Sequence, residues 1–115
     1  MRPKVRTAFQ LELAKAEEYA ANSDFARAWH HLERAHVLSQ AWAIPHVRVH
    51  FLMLKHALRR HDGREVRGQL VRLLVAAPGS WLGRAPLGNT GGSDVGILTP
   101  MPISDDLQGV LSEGR

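Results

Sequence analysis

Apolar residues recur at helical spacing through the first two-thirds of the chain, and beyond that the pattern breaks down. Val5, Phe9, Leu13, Ala16 and Ala20 repeat every three or four positions, which predicts a helix over about residues 4–20. Asn22-Ser23-Asp24 interrupts it and supplies an N-cap for a second helix over about 25–41. Pro45 stands where a first helical turn accepts proline, opening a third helix over about 46–60. Asp62-Gly63 marks a turn, and a fourth helix over about 64–77 is expected to stop at Pro78-Gly79.

Short connections make successive helices neighbours that pack antiparallel. The predicted fold is therefore all-α: a four-helix antiparallel bundle of two helical hairpins, forming a core over 1–77. The first hairpin is faintly tetratricopeptide-like, with Ala16, Tyr19, Ala28, Leu32 and Ala35 where that repeat places small and aromatic packing residues. The second hairpin does not repeat the pattern, and one repeat cannot bury its own face, so a bundle is expected instead of a solenoid. Residues 78–115 are rich in Gly and Pro. Yet Trp81, Leu87, Val95, Ile97, Leu98, Met101, Ile103, Leu107 and Leu111 are too many apolar groups for a disordered tail. This segment is expected to wrap irregularly on the core as part of the same domain, ending in a short helix over about 105–111.

The 115 residues suit one domain with a real core. No run of about 18 apolar residues is present, so no membrane span is expected. The basic start Met1-Arg2-Pro3-Lys4 leads into amphipathic sequence instead of an apolar signal region, which favours the cytoplasm. With no cysteine, disulfides, thiolate metal sites and a Cys nucleophile are excluded. The net charge is +4, but Lys and Arg are dispersed and no nucleic-acid motif appears, so nucleic acid is not an expected partner.

Composition leaves histidine as the informative residue, with seven in the chain. On a helical wheel, Phe25, Trp29, Leu32 and His36 share one stripe of the second helix, with Glu33 and Gln40 at its edge. In the third helix, Val47, Met53, Leu54 and Ala57 surround His46 and His50. His36, His46 and His50 should therefore point inward, whereas His30, His31, His56 and His61 should face solvent. Arg27 and Arg34 fall on the same outer side of the second helix as His31.

Inward imidazoles with a carboxylate can find their partner in a metal ion. The candidate ligands are Glu33, His36, His46 and His50, with Glu65 as a further one; Zn, Fe(II) and Cu(II) suit such a set. Gln40, Gln69 and Arg72 would orient ligands or balance charge. His46-x-x-x-His50 has the zincin spacing, but Val47 stands where the catalytic Glu belongs, so protease chemistry is not expected. Glu33-x-x-His36 matches the motif of di-iron bundles, yet the corresponding pair in the fourth helix is Gln69-x-x-Arg72, a poor iron set. A metal-free network is the other open reading: Arg72 pairing with Glu33, Gln69 with His36, and His50 with a backbone carbonyl.

Gly88-Asn89-Thr90-Gly91-Gly92 lacks the Lys and the strand–helix context of a phosphate loop. Its glycines are expected to allow positive φ or close backbone approach to the helices, with Asn89 and Thr90 candidate lid residues over the polar cluster. Ser39, Ser80 and Ser93 lack a nucleophile-elbow context.

The stretch Ala28–Gln40 and the Gly88–Gly92 segment, together with His46, His50, Met53-Leu54 and Gly68-Gln69, resemble a small bacterial domain-of-unknown-function family of about this length. Members of that family are often encoded near heavy-metal resistance and efflux genes, so the resemblance implies a metal-linked role without an assigned activity. The combined expectation is a metal-binding accessory or sensor protein with a mononuclear His/Glu site between the second and third helices. The alternative is a helical protein–protein interaction module whose polar cluster holds no metal. An apolar groove between the first and third helices would favour that alternative, and a pocket converging on the histidines would favour the metal site. A metal-dependent hydrolase or oxygenase needs, in addition, an open coordination position.

Overall fold

The computed structural model describes residues 1–81, 91–92 and 100–112, the side chains of 75–81 excepted. Among these residues five helices follow in order: α1 Pro3–Ala21, α2 Phe25–Ser39, α3 Ala43–Arg59, α4 Gly63–Trp81 and α5 Asp105–Ser112.

The two turns that fold α1 onto α2 and α3 onto α4 are built alike. Ser23 and His61 take positive φ, 60° and 54°. The next backbone N–H reaches back to close the helix end, Asp24 to the Tyr19 carbonyl at 2.9 Å and Asp62 to the Ala57 carbonyl at 3.0 Å. Each aspartate then caps the following helix, its carboxylate accepting from the N–H of Arg27 or of Glu65, both at 3.2 Å.

Two helix ends differ from expectation. α3 begins at Ala43, ahead of Pro45, because first-turn N–H groups have no helical partner and a proline there forfeits nothing. The His46 N–H makes the first bond of that helix, to the Trp42 carbonyl at 3.0 Å. α4 passes through Pro78-Gly79 to Trp81 instead of stopping before them. A proline inside a helix removes one bond to the preceding turn, and at Pro78 only three residues of α4 follow it.

α2 packs on α1 and on α3, α3 on α4, and α5 lies across α1 and α2. Among the described residues α1 packs on neither α3 nor α4. The core runs through this arrangement from Val5, Phe9 and Leu32 to Leu38, Val49 and Met53, with Leu107 of α5 closing one side. Full burial of a side chain such as Leu38 or Met53 stabilises the fold by about 1.5–3 kcal/mol. Ile103 packs on this core and Met101 is half-buried, as expected of the tail; Leu87, Val95, Ile97, Leu98 and the Trp81 side chain lie outside the described residues.

With neighbours on both sides, α2 buries more than one stripe. His31 and Arg34, expected on its solvent face, are half-buried against α1 and α5. Their common partner is Glu12, which lies on the α1 stripe with Phe9 and Ala16 and is only 5% exposed. Its carboxylate accepts from His31 Nδ1 at 2.6 Å and Arg34 Nε at 3.0 Å. Arg34 also pairs with Asp106, and the Arg2 guanidinium donates to the Leu111 carbonyl at 2.6 Å, so α5 is fastened at both ends. No helix among the described residues is long and apolar enough to cross a membrane.

Candidate metal centre

His36 stands near the end of α2, and His46 and His50 stand one turn apart at the start of α3. Their helical phase turns all three into the seam between those helices, where they are 3%, 6% and 3% exposed. The Nε2 atoms form a nearly equilateral triangle: His36–His46 3.0 Å, His36–His50 3.1 Å and His46–His50 3.2 Å.

Hydrogen bonds cannot lie along all three sides of that triangle with each nitrogen paired to its opposite. A ring nitrogen is either a donor or an acceptor. Around three atoms at least one pair must therefore oppose like with like, lone pair to lone pair or N–H to N–H. A cation at the centre removes the conflict, because all three nitrogens can then be acceptors. For nitrogens about 3.1 Å apart, an ion about 2.05 Å from each would lie about 1 Å out of their plane, with N–metal–N angles of about 98°. That lies between octahedral and tetrahedral values, so the triangle fits one face of either polyhedron.

The surroundings favour the acceptor form. Burial, with the neighbouring His50 adding to it, pushes His46 down to about 4. His50 is also lowered, mainly by burial and further by Arg72, against an opposing hydrogen bond from Gln69 and the charge of Glu65. Neutral imidazole is the metal-binding form. Gln69, fully buried on α4, then fixes which nitrogen of His50 carries the proton. Its amide N–H groups donate to Glu65 Oε2 and to the Gly91 carbonyl, both at 2.8 Å. Its Oε1 must therefore face His50 Nδ1, 2.6 Å away, so Nδ1 holds the proton and Nε2 presents its lone pair to the triangle. Metal-bound histidines are usually oriented by an outer hydrogen bond of this kind.

Gly91 closes the cluster from the C-terminal side. Its φ is +85°, and a Cβ placed there would come within 2.6 Å of His36 Cδ2. Both features require glycine, so the close approach expected of the Gly-rich segment is present at this residue. Asn89 and Thr90 lie outside the described residues.

Among the described residues, the group able to converge on one ion is His36, His46 and His50. Glu33 is half-buried one turn before His36 and does not belong to it. Glu65 sits one bond further out, accepting from Gln69, which contacts His50 rather than His36. Arg72 is buried and its Nη1 donates to the Gly68 carbonyl at 3.3 Å, while Gln40 is buried just past the end of α2.

His30 and His61 are exposed as expected, but His56 is not: it is 5% exposed, between Phe25 and Trp29 with ring centres 5.7 and 5.6 Å away. α3 is flanked by α2 and α4 at once, which widens its buried face beyond the stripe read from the wheel. Burial, with Arg60 and Arg59 nearby, holds His56 below its ordinary value, and its Nε2 has no hydrogen-bond partner. Among the described residues two grooves can be traced, and neither is lined by the three clustered histidines. The smaller touches Glu65, and the larger lies between α1 and α3, where the interaction-module alternative expects a groove.

These features define an all-helical protein with a buried cluster of three imidazoles. The chain belongs to the family described as "Protein of unknown function (DUF3703)", whose family model matches residues 3–111. No curated protein and no solved structure matches it. The family description names no activity, so function has to be argued from the site itself.

Proposed function

We propose that the protein binds one divalent transition-metal ion, Zn, Fe(II) or Cu(II), through His36, His46 and His50, and serves as an accessory or sensor protein in metal handling. The observation that carries this reading is the convergence of three Nε2 atoms at 3.0–3.2 Å, in which at least one pair must set like against like. Gln69 orients His50, and Glu65 lies behind Gln69 to offset the charge of the ion, with Arg72 limiting how much positive charge the seam accepts. Two helical hairpins side by side form the scaffold, with the ligands on the two inner helices.

The deciding experiment is elemental analysis of tag-free protein purified without chelator, followed by titration of Zn, Fe(II) and Cu(II) while the melting temperature is followed. One ion per chain is expected, and free metal at about 100 times Kd should stabilise the fold by about 2.7 kcal/mol. His36→Ala and His50→Ala should abolish the response. His31→Ala should retain it, although its contact with Glu12 is lost. An equal response in all four proteins would refute the site, and the cluster would then be a metal-free polar core.

A further inference from the structure

The groove between α1 and α3 encloses about 500 Å³ and stands apart from the histidine cluster. It exists because α1 and α3 both lean on α2 and not on each other. Leu32 of α2 forms the floor, Leu13, Ala16 and Ala20 one wall, and Leu52 the base of the other. The two rims differ in charge. Arg48, Lys55 and Arg59 run along the α3 rim, all exposed, whereas the described α1 rim carries Gln10 and a single carboxylate, Glu17.

We infer that this groove binds an acidic amphipathic helix of a partner protein. From Arg48 to Arg59 the α3 rim rises about 16 Å, or roughly three helical turns. Small and apolar residues recur at helical spacing along the α1 wall and face Leu32 and Leu52, which suits a ligand that presents anchors at i, i+4 and i+7. The alanines let a backbone approach closely. The cationic rim selects acidic residues on one flank of the ligand, and it guides encounter as well as fixing orientation. A nucleic acid would place phosphates against this apolar floor and would find no Trp, Tyr or Phe among the groove's lining residues on which to stack a base. The groove therefore favours a peptide.

The test uses the full chain and fluorescein-labelled peptides of about 15 residues, long enough to fill the groove as a helix. One carries Leu at i, i+4, i+7 and i+11 with Glu along one flank, and a second replaces each Glu with Lys. The Glu peptide should bind with a micromolar Kd and shift the amide resonances of Ala14, Leu32 and Leu52. Lys55→Glu/Arg59→Glu should weaken it at least about tenfold and improve binding of the Lys peptide. Arg64→Glu/Arg67→Glu makes the same charge change at exposed positions on α4, which lines no part of the groove, and should alter affinity by less than about twofold. Ala14→Trp, at an exposed wall position, should block the groove; if it impairs folding, the charge reversals carry the test. The inference is overturned by absence of saturable binding of the Glu peptide, equal affinity for the Lys peptide, or shifts confined to other helices. Tighter binding of a single-stranded RNA would also overturn it. None of these outcomes depends on whether metal binds.

Discussion

Two polar clusters lie on opposite sides of α2, and they are built on opposite principles. On the side of α1 and α5, Glu12 meets Arg34 and His31, and Arg34 goes on to Asp106. Each contact pairs a donor with an acceptor, and acid faces base throughout. On the side of α3 and α4, three imidazoles direct their nitrogens at one another, with a neutral amide behind them. The first cluster is complete as it stands and its work is to fasten helices. The second gathers three groups of one kind that could close on a single ion. A buried polar group is thus evidence of a ligand site when its partners share its own character, and evidence of architecture when they complement it.

The largest effect should come from breaking the complete cluster. Glu12→Ala leaves Arg34 and His31 facing an apolar seam, and loss of one partner of a buried ion pair costs about 3–5 kcal/mol. The lower end is expected here, because Arg34 keeps Asp106 and part of its solvent contact. Urea unfolding of the metal-free protein measures the loss. Metal uptake by the folded fraction should be unchanged, and its disappearance would mean that the two clusters act as one.

Helical phase made one cluster legible in the sequence and hid the other. His36, His46 and His50 are flanked by apolar residues at helical spacing, so their inward direction could be read from the chain alone. Glu12 carried the same signal, three after Phe9 and four before Ala16, but Leu13 beside it fits the stripe almost as well and is the more ordinary core residue. The structure buries the glutamate and leaves Leu13 only partly covered. His56 was equally readable as seven after Val49, and was obscured by its charged neighbours. The helical wheel missed both because it assumes one buried face, although short connections already give α2 and α3 two packing partners each. The turns themselves are marked in the sequence, at Asn22-Ser23-Asp24 and Asp62-Gly63, and each aspartate caps the helix that follows.

Acid should separate the clusters by pH. His46 and His50 are both held below the ordinary histidine value of 6.5 in the folded chain, His46 at about 4. Below that ordinary value the unfolded chain takes up protons that the folded chain refuses, so stability is fully present at neutral pH. It is then lost as pH falls from about 6.5 towards 4. The displacement of His46 alone corresponds to roughly 3 kcal/mol across that window. Asp106 is held well below the usual carboxylate range by Arg34 and then Ser104, so its contribution survives through the window and is lost only at lower pH. Thermal melts of metal-free protein between pH 7.5 and 4 should show the early loss, reduced in His46→Leu. Melts that stay flat down to about pH 4 would show that the imidazoles are not held neutral.

The smallest effect tests the residue that joins the cluster to its surroundings. In Gln69→Leu the His50 Nδ1 proton loses its acceptor, and the tautomer that directs Nε2 at the triangle is no longer favoured. Outer partners of metal-bound histidines typically account for 10–100-fold in affinity, or about 1.4–2.7 kcal/mol. The Gly91 carbonyl and Glu65 lose a donor as well, so some stability will go too. The comparison that matters is between the two losses. A competition assay with a chromophoric zinc chelator gives the change in affinity, and melting of the metal-free variant gives the change in stability. If Gln69 sets the His50 proton, affinity should fall by at least about tenfold relative to a variant of equal stability loss at Glu12. Equal affinity in the two variants would reduce Gln69 to a packing residue and remove the chemical asymmetry between the two sides of α2.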